Sequence, residues 1–122
     1  MGGKHVPPSA HLVPELIEEM CDYINENWTT QSAVELSAYA LWRLNWIHPF
    51  VDGNGRTARA VSYVVLCTRM GTQLPGIRTI PDQISENKQP YYRCLEAADA
   101  AHLDNRTHVS ELSAYLVDIL II

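Results

Sequence analysis

Positive charge is scarce in this sequence of 122 residues. Lysine and arginine together number nine against 14 acidic residues, the formal net charge is -5, and Lys4 and Lys88 are the two lysines. Contact with nucleic-acid phosphates needs clustered Lys and Arg, so this balance argues against a nucleic-acid partner. Arg56 and Arg59 are the exception to an otherwise scattered set of arginines.

Long apolar runs are also missing. No run approaches the ~20 residues needed to span a bilayer, and no signal peptide opens the sequence. We therefore expect no membrane partner and a cytoplasmic location.

Cysteine is rare, with Cys21, Cys67 and Cys94 lying far apart. Their odd number and wide spacing disfavour a disulfide framework or a zinc site. Each lies in an apolar stretch, so we expect small buried thiols in a reducing compartment.

The composition is that of an ordinary globular protein, with 47% hydrophobic and 19% charged residues. No linker, repeat or low-complexity segment divides the chain, so residues 1–122 are predicted to form one domain. Residues 1–12, with a glycine pair and two adjacent prolines, are predicted to form an extended lead-in.

Helical spacing of apolar residues follows this lead-in. Pro14 fits a first helical turn, and the apolar residues that recur after it are Leu16, Ile17, Met20, Ile24 and Trp28. Ser32 and Glu35 form a capping box that opens a second helix, which we expect to be well buried. Pro49 prevents its continuation and places His48 at its C-terminal end.

A third helix is predicted to follow Gly55, from Arg56 to Met70, and to end before Gly71. Its valines would also suit a buried strand, but the sustained length favours a helix. Residues 72–78 are predicted to be a loop, Thr79 to start a short helix, and Asn87 or Lys88 to start the next. A last helix carries Leu112, Tyr115, Leu116, Ile119 and Ile122 on one side. The sequence therefore predicts an all-α domain of five or six helices.

The stretch HPFVDGNGRTAR, residues 48–59, holds the densest group of reactive residue types. Gly53 and Gly55 allow a ligand to approach the backbone closely. The N-terminus of the helix that follows is a natural anion site, and Arg56 and Arg59 lie on nearly the same face of it. Two guanidinium groups beside a helix N-terminus suit a polyanion such as a triphosphate.

Two further residues of this stretch suit phosphate chemistry. Asp52 is a single carboxylate, and one carboxylate together with phosphate oxygens is the usual way in which proteins hold Mg²⁺. His48 can accept a proton near pH 7, although the C-terminal end of a helix favours the charged imidazolium.

Taken singly, each residue has a plain structural alternative. His48 would be a helix-terminal residue, Asp52 and Asn54 turn residues, the glycines loop residues, and Arg59 part of a solvated helix face. Their combination favours function. The lysine-bearing P-loop, EF-hand spacing and zinc spacing are absent from the sequence.

This stretch resembles the signature of the Fic family, H-P-F-x-D/E-G-N-G-R-x-x-R. Every specified position is met, by His48, Pro49, Phe50, Asp52, Gly53, Asn54, Gly55, Arg56 and Arg59. The resemblance extends more weakly over VPPSAHLVPELIEEM and QPYYRCLEAAD. It implies a Fic-type bundle of five to seven helices, with the motif loop between two central helices.

The resemblance also implies protein adenylylation, the transfer of AMP from ATP to a Ser, Thr or Tyr hydroxyl of a target protein with release of pyrophosphate. It implies that His48 is the base and that Asp52 holds Mg²⁺. It places Gly53, Asn54 and Gly55 around the phosphates, with the Asn54 side chain near the α-phosphate. Arg56 and Arg59 would hold the β- and γ-phosphates. Phe50 is interpreted as a core anchor of the loop, and Tyr91 or Tyr92 either flanks the adenine or simply packs.

The sequence departs from the family pattern in two places. Many members carry an inhibitory helix with Ser or Thr, three residues, and then Glu followed by Gly or Asn. Here Thr107 and Glu111 are followed by Leu112, which disfavours such a helix. Three possibilities therefore stay open. Activity could be inhibited by a partner protein, inhibited by a missing N-terminal segment, or not inhibited at all. Only Met1–Val6 precede Pro7, so we expect the target-docking hairpin to be truncated or absent.

Two alternatives to AMP transfer remain. A Fic-type enzyme could transfer another phosphate-containing group or remove AMP, although the Doc branch, which phosphorylates its target, departs from the G-N-G-R stretch that is intact here. A catalytically idle nucleotide-binding module would not need His48 and Asp52.

Overall fold

A computed structural model describes residues 5–71 and 79–120 of the chain. Over these ranges the chain is all-helical and contains no strand, which confirms the predicted fold class. A 3-10 turn precedes six α-helices: α1 Val13–Glu26, α2 Ala33–Ile47, α3 Asn54–Met70, α4 Ile80–Glu86, α5 Gln89–Leu103 and α6 Ser110–Leu120. Within the described residues, no helix is long and apolar enough to cross a membrane.

Helix α2 lies at the centre of the bundle. Eleven of its fifteen residues are buried, as expected for a helix that is apolar on most of its circumference. Helices α1, α3, α5 and α6 all contact it, and the pair α2–α3 is the most extensive. The loop that carries the sequence motif joins these two helices, so the motif lies between the two central helices.

The predicted capping box at the start of α2 is present. The Glu35 backbone N–H donates to Ser32 Oγ, and the Ser32 backbone N–H donates to Glu35 Oε1, both at 3.1 Å. These bonds satisfy two donors that the first helical turn would otherwise leave without partners.

Replacing Ser32 with alanine is therefore expected to cost about 1 kcal/mol of unfolding free energy, whereas Ser32→Gly should cost only a few tenths. Urea denaturation would measure the difference as a shift of the midpoint at constant slope. Equal midpoints for wild type and Ser32→Ala would show that the cap contributes nothing to stability.

The start and end of α3 confirm helix over strand for the valine-rich stretch. Gly53 and Gly71 flank the helix in the left-handed conformation, with φ of 80° and 76°. The Gly71 N–H donates to the carbonyls of Cys67 and Thr68, which closes the C-terminal turn. Helix α3 is also tied to α2 by the Ser37 hydroxyl, which donates to the Ser62 carbonyl at 2.8 Å.

Helices α4 and α5 begin where the sequence places them. Thr79 caps α4, its hydroxyl accepting from the Asp82 N–H, and Lys88 is the N-cap of α5. Of the predicted stripe of α6, Leu112 and Leu116 are buried. The predicted loop 72–78 and Ile122 lie outside the described residues.

The prediction of an extended lead-in through residue 12 was wrong at its end. Residues Ala10–Leu12 form a 3-10 turn that runs directly into α1, because Pro14 is accommodated in the first turn of that helix. Before this turn, His5 Nε2 donates to the Trp46 carbonyl at 2.6 Å, and the two rings lie 5.4 Å apart. This contact fixes the lead-in against the C-terminal part of α2.

The prediction of buried thiols was also wrong. Cys21 is exposed, and Cys67 and Cys94 are only half-buried. In α1, Met20 takes the buried position, so the next residue points away from the core. The same holds in α3, where Leu66 is buried immediately before Cys67.

Candidate active site

A cleft of about 560 Å³ opens where the C-terminal end of α2 meets the N-terminal ends of α3 and α5. All nine residues that the sequence singled out line it: His48, Asp52, Gly53, Asn54, Gly55, Arg56, Arg59, Tyr91 and Tyr92. Four residues that sequence reasoning missed complete the lining: Asn45, Val51, Ser85 and Lys88. The cleft thus combines three cationic side chains, two helix N-termini and one carboxylate.

His48 is held at the cleft by an unusual backbone conformation. It is the C-cap of α2 with φ of 53° and ψ of 59°, in the left-handed region that residues other than glycine seldom occupy. Its N–H donates to the Leu44 carbonyl at 3.0 Å, which keeps the residue attached to the helix end. The half-buried imidazole is therefore presented to the cleft by a rigid element.

The loop after His48 is closed by the side chain of Asn54. Its Oδ1 accepts from the Phe50 N–H at 2.8 Å, and its Nδ2 donates to the Phe50 carbonyl at 2.7 Å. One amide hydrogen and one oxygen lone pair of Asn54 remain for a ligand. Asn54 itself is buried, with 6% exposed.

The interpretation of Phe50 as a core anchor was wrong. Its side chain is 52% exposed, because the loop turns outward at this residue and only its backbone is bound by Asn54. The loop is pinned by a polar side chain and not by an apolar one.

The N-terminus of α3 faces the cleft. The first helical hydrogen bond runs from the Thr57 N–H to the Gly53 carbonyl at 3.0 Å, so the N–H groups of Asn54, Gly55 and Arg56 have no acceptor within the helix. Together with the positive end of the helix dipole, these donors favour an anion. The helix start thus presents the free donors that an anion site needs, and anion binding there stays a prediction.

The two motif arginines differ in exposure. The Arg56 side chain is 74% exposed and lies 3.7 Å from Asp52 Oδ2, whereas Arg59 is buried, with 7% exposed. A Cβ atom at Gly55 would lie only 2.9 Å from Arg59 Nη1. The missing side chain at Gly55 therefore leaves the space in which the Arg59 guanidinium lies.

Asp52 fits a cation that arrives with a phosphate ligand. Its carboxylate is 93% exposed at the cleft, and the described residues contain no cluster of three or more His, Cys, Asp or Glu side chains that could hold a metal by themselves. A single carboxylate suits Mg²⁺, which keeps waters and takes its remaining ligands from phosphate oxygens.

The two tyrosines at the start of α5 have different environments. Tyr91 is buried, with 1% exposed, and its hydroxyl accepts from Asn45 Nδ2 at 2.7 Å. Burial raises the pKa of Tyr91 to about 12, despite the opposing effects of Asn45 and of the Arg59 guanidinium. Tyr92 is half-buried and also lines the cleft.

The four missed lining residues differ in how readily they could have been found. Asn45 precedes His48 by three residues, and side chains at that spacing share a helix face. Ser85 and Lys88 carry no local signal, because they reach the cleft only through the packing of α4 and α5 against α3 and α2.

Glu111, the candidate inhibitory residue, lies elsewhere. It is in the first turn of α6 and lines a separate cavity of about 340 Å³ together with Cys94, Asp104 and Arg106. The Cys94 thiol donates to the Glu111 backbone carbonyl at 3.5 Å. Glu111 therefore lies outside the cleft that the motif residues line.

These features define a helical bundle with a cleft that is lined by cationic side chains and built on the loop between its two central helices. Comparison with known sequences agrees: the sequence model of the Fic/DOC family matches residues 1–66, just over half of the chain. The chain belongs to the Fic/DOC family.

Similar proteins include the protein adenylyltransferase fic-1 of Caenorhabditis elegans, which is 32% identical over 102 residues. That alignment covers 83% of this chain and 19% of the nematode protein. The protein adenylyltransferase Fic of Drosophila willistoni is 34% identical over 98 residues, covering 80% of this chain and 18% of the fly protein. The chain therefore spans about a fifth of the length of these relatives.

Proposed function

We propose that this chain is the catalytic part of a protein adenylyltransferase that transfers AMP from ATP to a Ser, Thr or Tyr hydroxyl of a target protein. The observation that carries the proposal is the placement of His48, the α3 N-terminus and both motif arginines around one cleft. The names of the similar proteins from nematode and fly support the same activity.

The reaction needs a base beside the α-phosphate. In the proposed mechanism, His48 takes the proton of the acceptor hydroxyl while its oxygen attacks the α-phosphorus. A new oxygen–phosphorus bond forms and the bond from the α-phosphorus to the bridging oxygen breaks. Pyrophosphate leaves with that electron pair. The left-handed cap conformation of His48 fixes the position of the imidazole, which is the main contribution that positioning makes to such a step.

The charge of the triphosphate is matched by groups that are already in place. The backbone N–H groups at the start of α3 are assigned to the phosphates, together with the remaining amide hydrogen of Asn54. Arg56 and Arg59 are assigned to the β- and γ-phosphates, where guanidinium groups can form paired hydrogen bonds. Because these donors are fixed by the helix, they stabilise developing charge without reorganising.

Mg²⁺ is proposed as the cation that accompanies ATP, with Asp52 as its protein ligand. Bound there, it would supply charge neutralisation of the phosphates. The exposed Asp52 carboxylate can exchange its contact with Arg56 for the cation, since an exposed ion pair of this kind is worth only ~0–1 kcal/mol.

The adenine is assigned to the side of the cleft formed by the start of α5. Tyr92 is the tyrosine that we propose as its neighbour, since its half-buried ring lines the cleft and Tyr91 is enclosed by protein. Lys88, the N-cap of α5, is a third cation on this side and is available to the ribose or the phosphates.

The direct test uses ATP labelled at either end of its phosphate chain. The purified chain is incubated with Mg²⁺ and a cell lysate, in parallel with α-labelled and γ-labelled ATP. Label from the α-phosphate alone on a protein supports AMP transfer. Label from the γ-phosphate alone would indicate phosphoryl transfer instead. ATP binding without either label would favour an idle nucleotide-binding module.

The role of Asp52 predicts a specific change in the metal requirement. Asp52→Asn is expected to raise the Mg²⁺ concentration needed for half-maximal transfer by roughly 10-fold or more, because an amide is a weaker ligand for a hard cation than a carboxylate. Titration of MgCl₂ at fixed ATP would measure it. Asp22→Asn, which removes an equally simple exposed carboxylate of α1, is the matched control. An unchanged Mg²⁺ curve for Asp52→Asn would remove Asp52 from the metal site.

A further inference from the structure

We propose that Asn45 and Tyr91 form a relay that positions the Arg59 guanidinium for the terminal phosphates of ATP. This inference rests on the proposed function and adds two positioning residues to it. It gives Tyr91 a role distinct from contact with adenine. The three residues belong to three different helices, α2, α5 and α3, and all three line the cleft.

Asn45 is fixed by its own helix. Its Nδ2 donates to the Leu41 carbonyl one turn earlier and to the Tyr91 hydroxyl, both at 2.7 Å. Both hydrogens of the amide group are therefore used. Asn45 is also buried, with 3% exposed. A buried amide with both hydrogens bonded holds one orientation, so the phenol oxygen of Tyr91 has a fixed partner on the α2 side.

Tyr91 and Arg59 both line the cleft, and both are buried. The guanidinium is close enough to act on the phenol both as a positive charge and as a hydrogen-bond donor, and both effects lower the pKa of Tyr91 against the larger effect of burial. With its pKa at about 12, Tyr91 is a neutral phenol at physiological pH. It therefore orients the guanidinium without neutralising its charge.

Gly55 also bounds Arg59. Its absent side chain leaves the guanidinium lying against the first turn of α3. An arginine side chain is long and loses rotamer entropy when it is fixed. Arg59, held by Tyr91 and Gly55, has lost much of this rotamer entropy before any ligand arrives. Binding of a phosphate therefore costs less conformational entropy.

This arrangement predicts an effect confined to nucleotides with more than one phosphate. Tyr91→Phe keeps the buried ring and removes only the hydroxyl. We expect its affinity for ATP in the presence of Mg²⁺ to fall about 10-fold, the loss of roughly one hydrogen bond to a charged group. The affinity for AMP, which lacks the phosphates assigned to Arg59, should change less than 2-fold. Isothermal titration calorimetry with both nucleotides measures the two values.

Tyr39→Phe is the matched control. Tyr39 is likewise buried, has a pKa of about 12 and contacts an arginine, Arg43, but does not line the cleft. Both variants should lose some thermal stability from the missing hydroxyl, and only Tyr91→Phe should weaken ATP binding. An ATP affinity equal to that of wild type in a folded Tyr91→Phe protein would overturn the inference.

A second comparison separates the relay from direct contact with the base. In an Arg59→Ala background, a residue that acts through Arg59 has nothing left to position, so adding Tyr91→Phe should cause no further loss of ATP affinity. A further loss, or an equal loss for AMP, would assign Tyr91 to the adenine and refute the relay. Asn45→Ala should cause a smaller loss of ATP affinity than Tyr91→Phe, and it too should cause no further loss in the Arg59→Ala background. If wild type binds neither nucleotide, the proposed function itself fails.

Discussion

Replacing His48 with asparagine is expected to lower the rate of AMP transfer about 10²- to 10⁴-fold, the usual contribution of a positioned general base. ATP affinity should stay within about 2-fold of wild type, because the phosphates are assigned to α3 and the arginines and not to the imidazole. Transfer from α-labelled ATP at saturating nucleotide measures the rate, and calorimetry measures the affinity.

Asparagine is the better replacement because of the backbone at residue 48. Residue 48 has φ of 53°, a left-handed conformation that alanine tolerates less well than histidine or asparagine, so alanine would confuse lost stability with lost chemistry. Asparagine tolerates this region. His11→Asn, in the exposed 3-10 turn, is the matched control. A His48→Asn protein that transfers AMP at close to the wild-type rate would exclude His48 as the base.

Gly55→Ala should weaken ATP binding by roughly 10- to 100-fold while making the protein no less stable. The new Cβ would lie 2.9 Å from Arg59 Nη1, so the guanidinium must move and loses its hydrogen bonds to the phosphates, worth about 1.5–3 kcal/mol. Alanine in place of a helical glycine favours the folded state by up to ~0.5–1 kcal/mol. Calorimetry and thermal denaturation on the same sample would record changes of opposite sign.

Gly71→Ala provides the reverse pattern. Gly71 has φ of 76°, and a Cβ there meets nothing within 4 Å, so the substitution should cost about 1–2 kcal/mol of stability through backbone strain alone. ATP binding should not change. If Gly55→Ala bound ATP as tightly as wild type, the position of Arg59 in the structure would not be the one that binds phosphate.

The sequence was sufficient for the helices and for the residues around the cleft, since both depend on local signals. The Ser32 capping box, Pro49 and Gly71 specify where helices begin and end, and the motif of residues 48–59 specifies one side of the cleft. The residues on the other side of the cleft depend on how helices that are far apart in the sequence pack together. No local pattern shows that Lys88 and Ser85 line the same cleft as Arg59.

The errors have a common physical cause. Phe50 was expected in the core because it is aromatic, yet it lies on a loop whose polar neighbour, Asn54, does the anchoring. Cys21 and Cys67 were expected to be buried because their neighbours are apolar, but adjacent residues on a helix point in directions about 100° apart. Tyr91 and Tyr92 could not be told apart for the same reason, because the phase of α5 relative to α2 decides which one is enclosed.

The pairing of Asn54 with both backbone groups of Phe50 has a consequence for the energetics of the catalytic loop. These two hydrogen bonds fix the loop without any ligand. The conformational entropy of ordering the loop is therefore lost during folding and not when a nucleotide binds. Under the proposed function, each nucleotide would meet a loop that is already ordered, and successive turnovers would need no refolding of it.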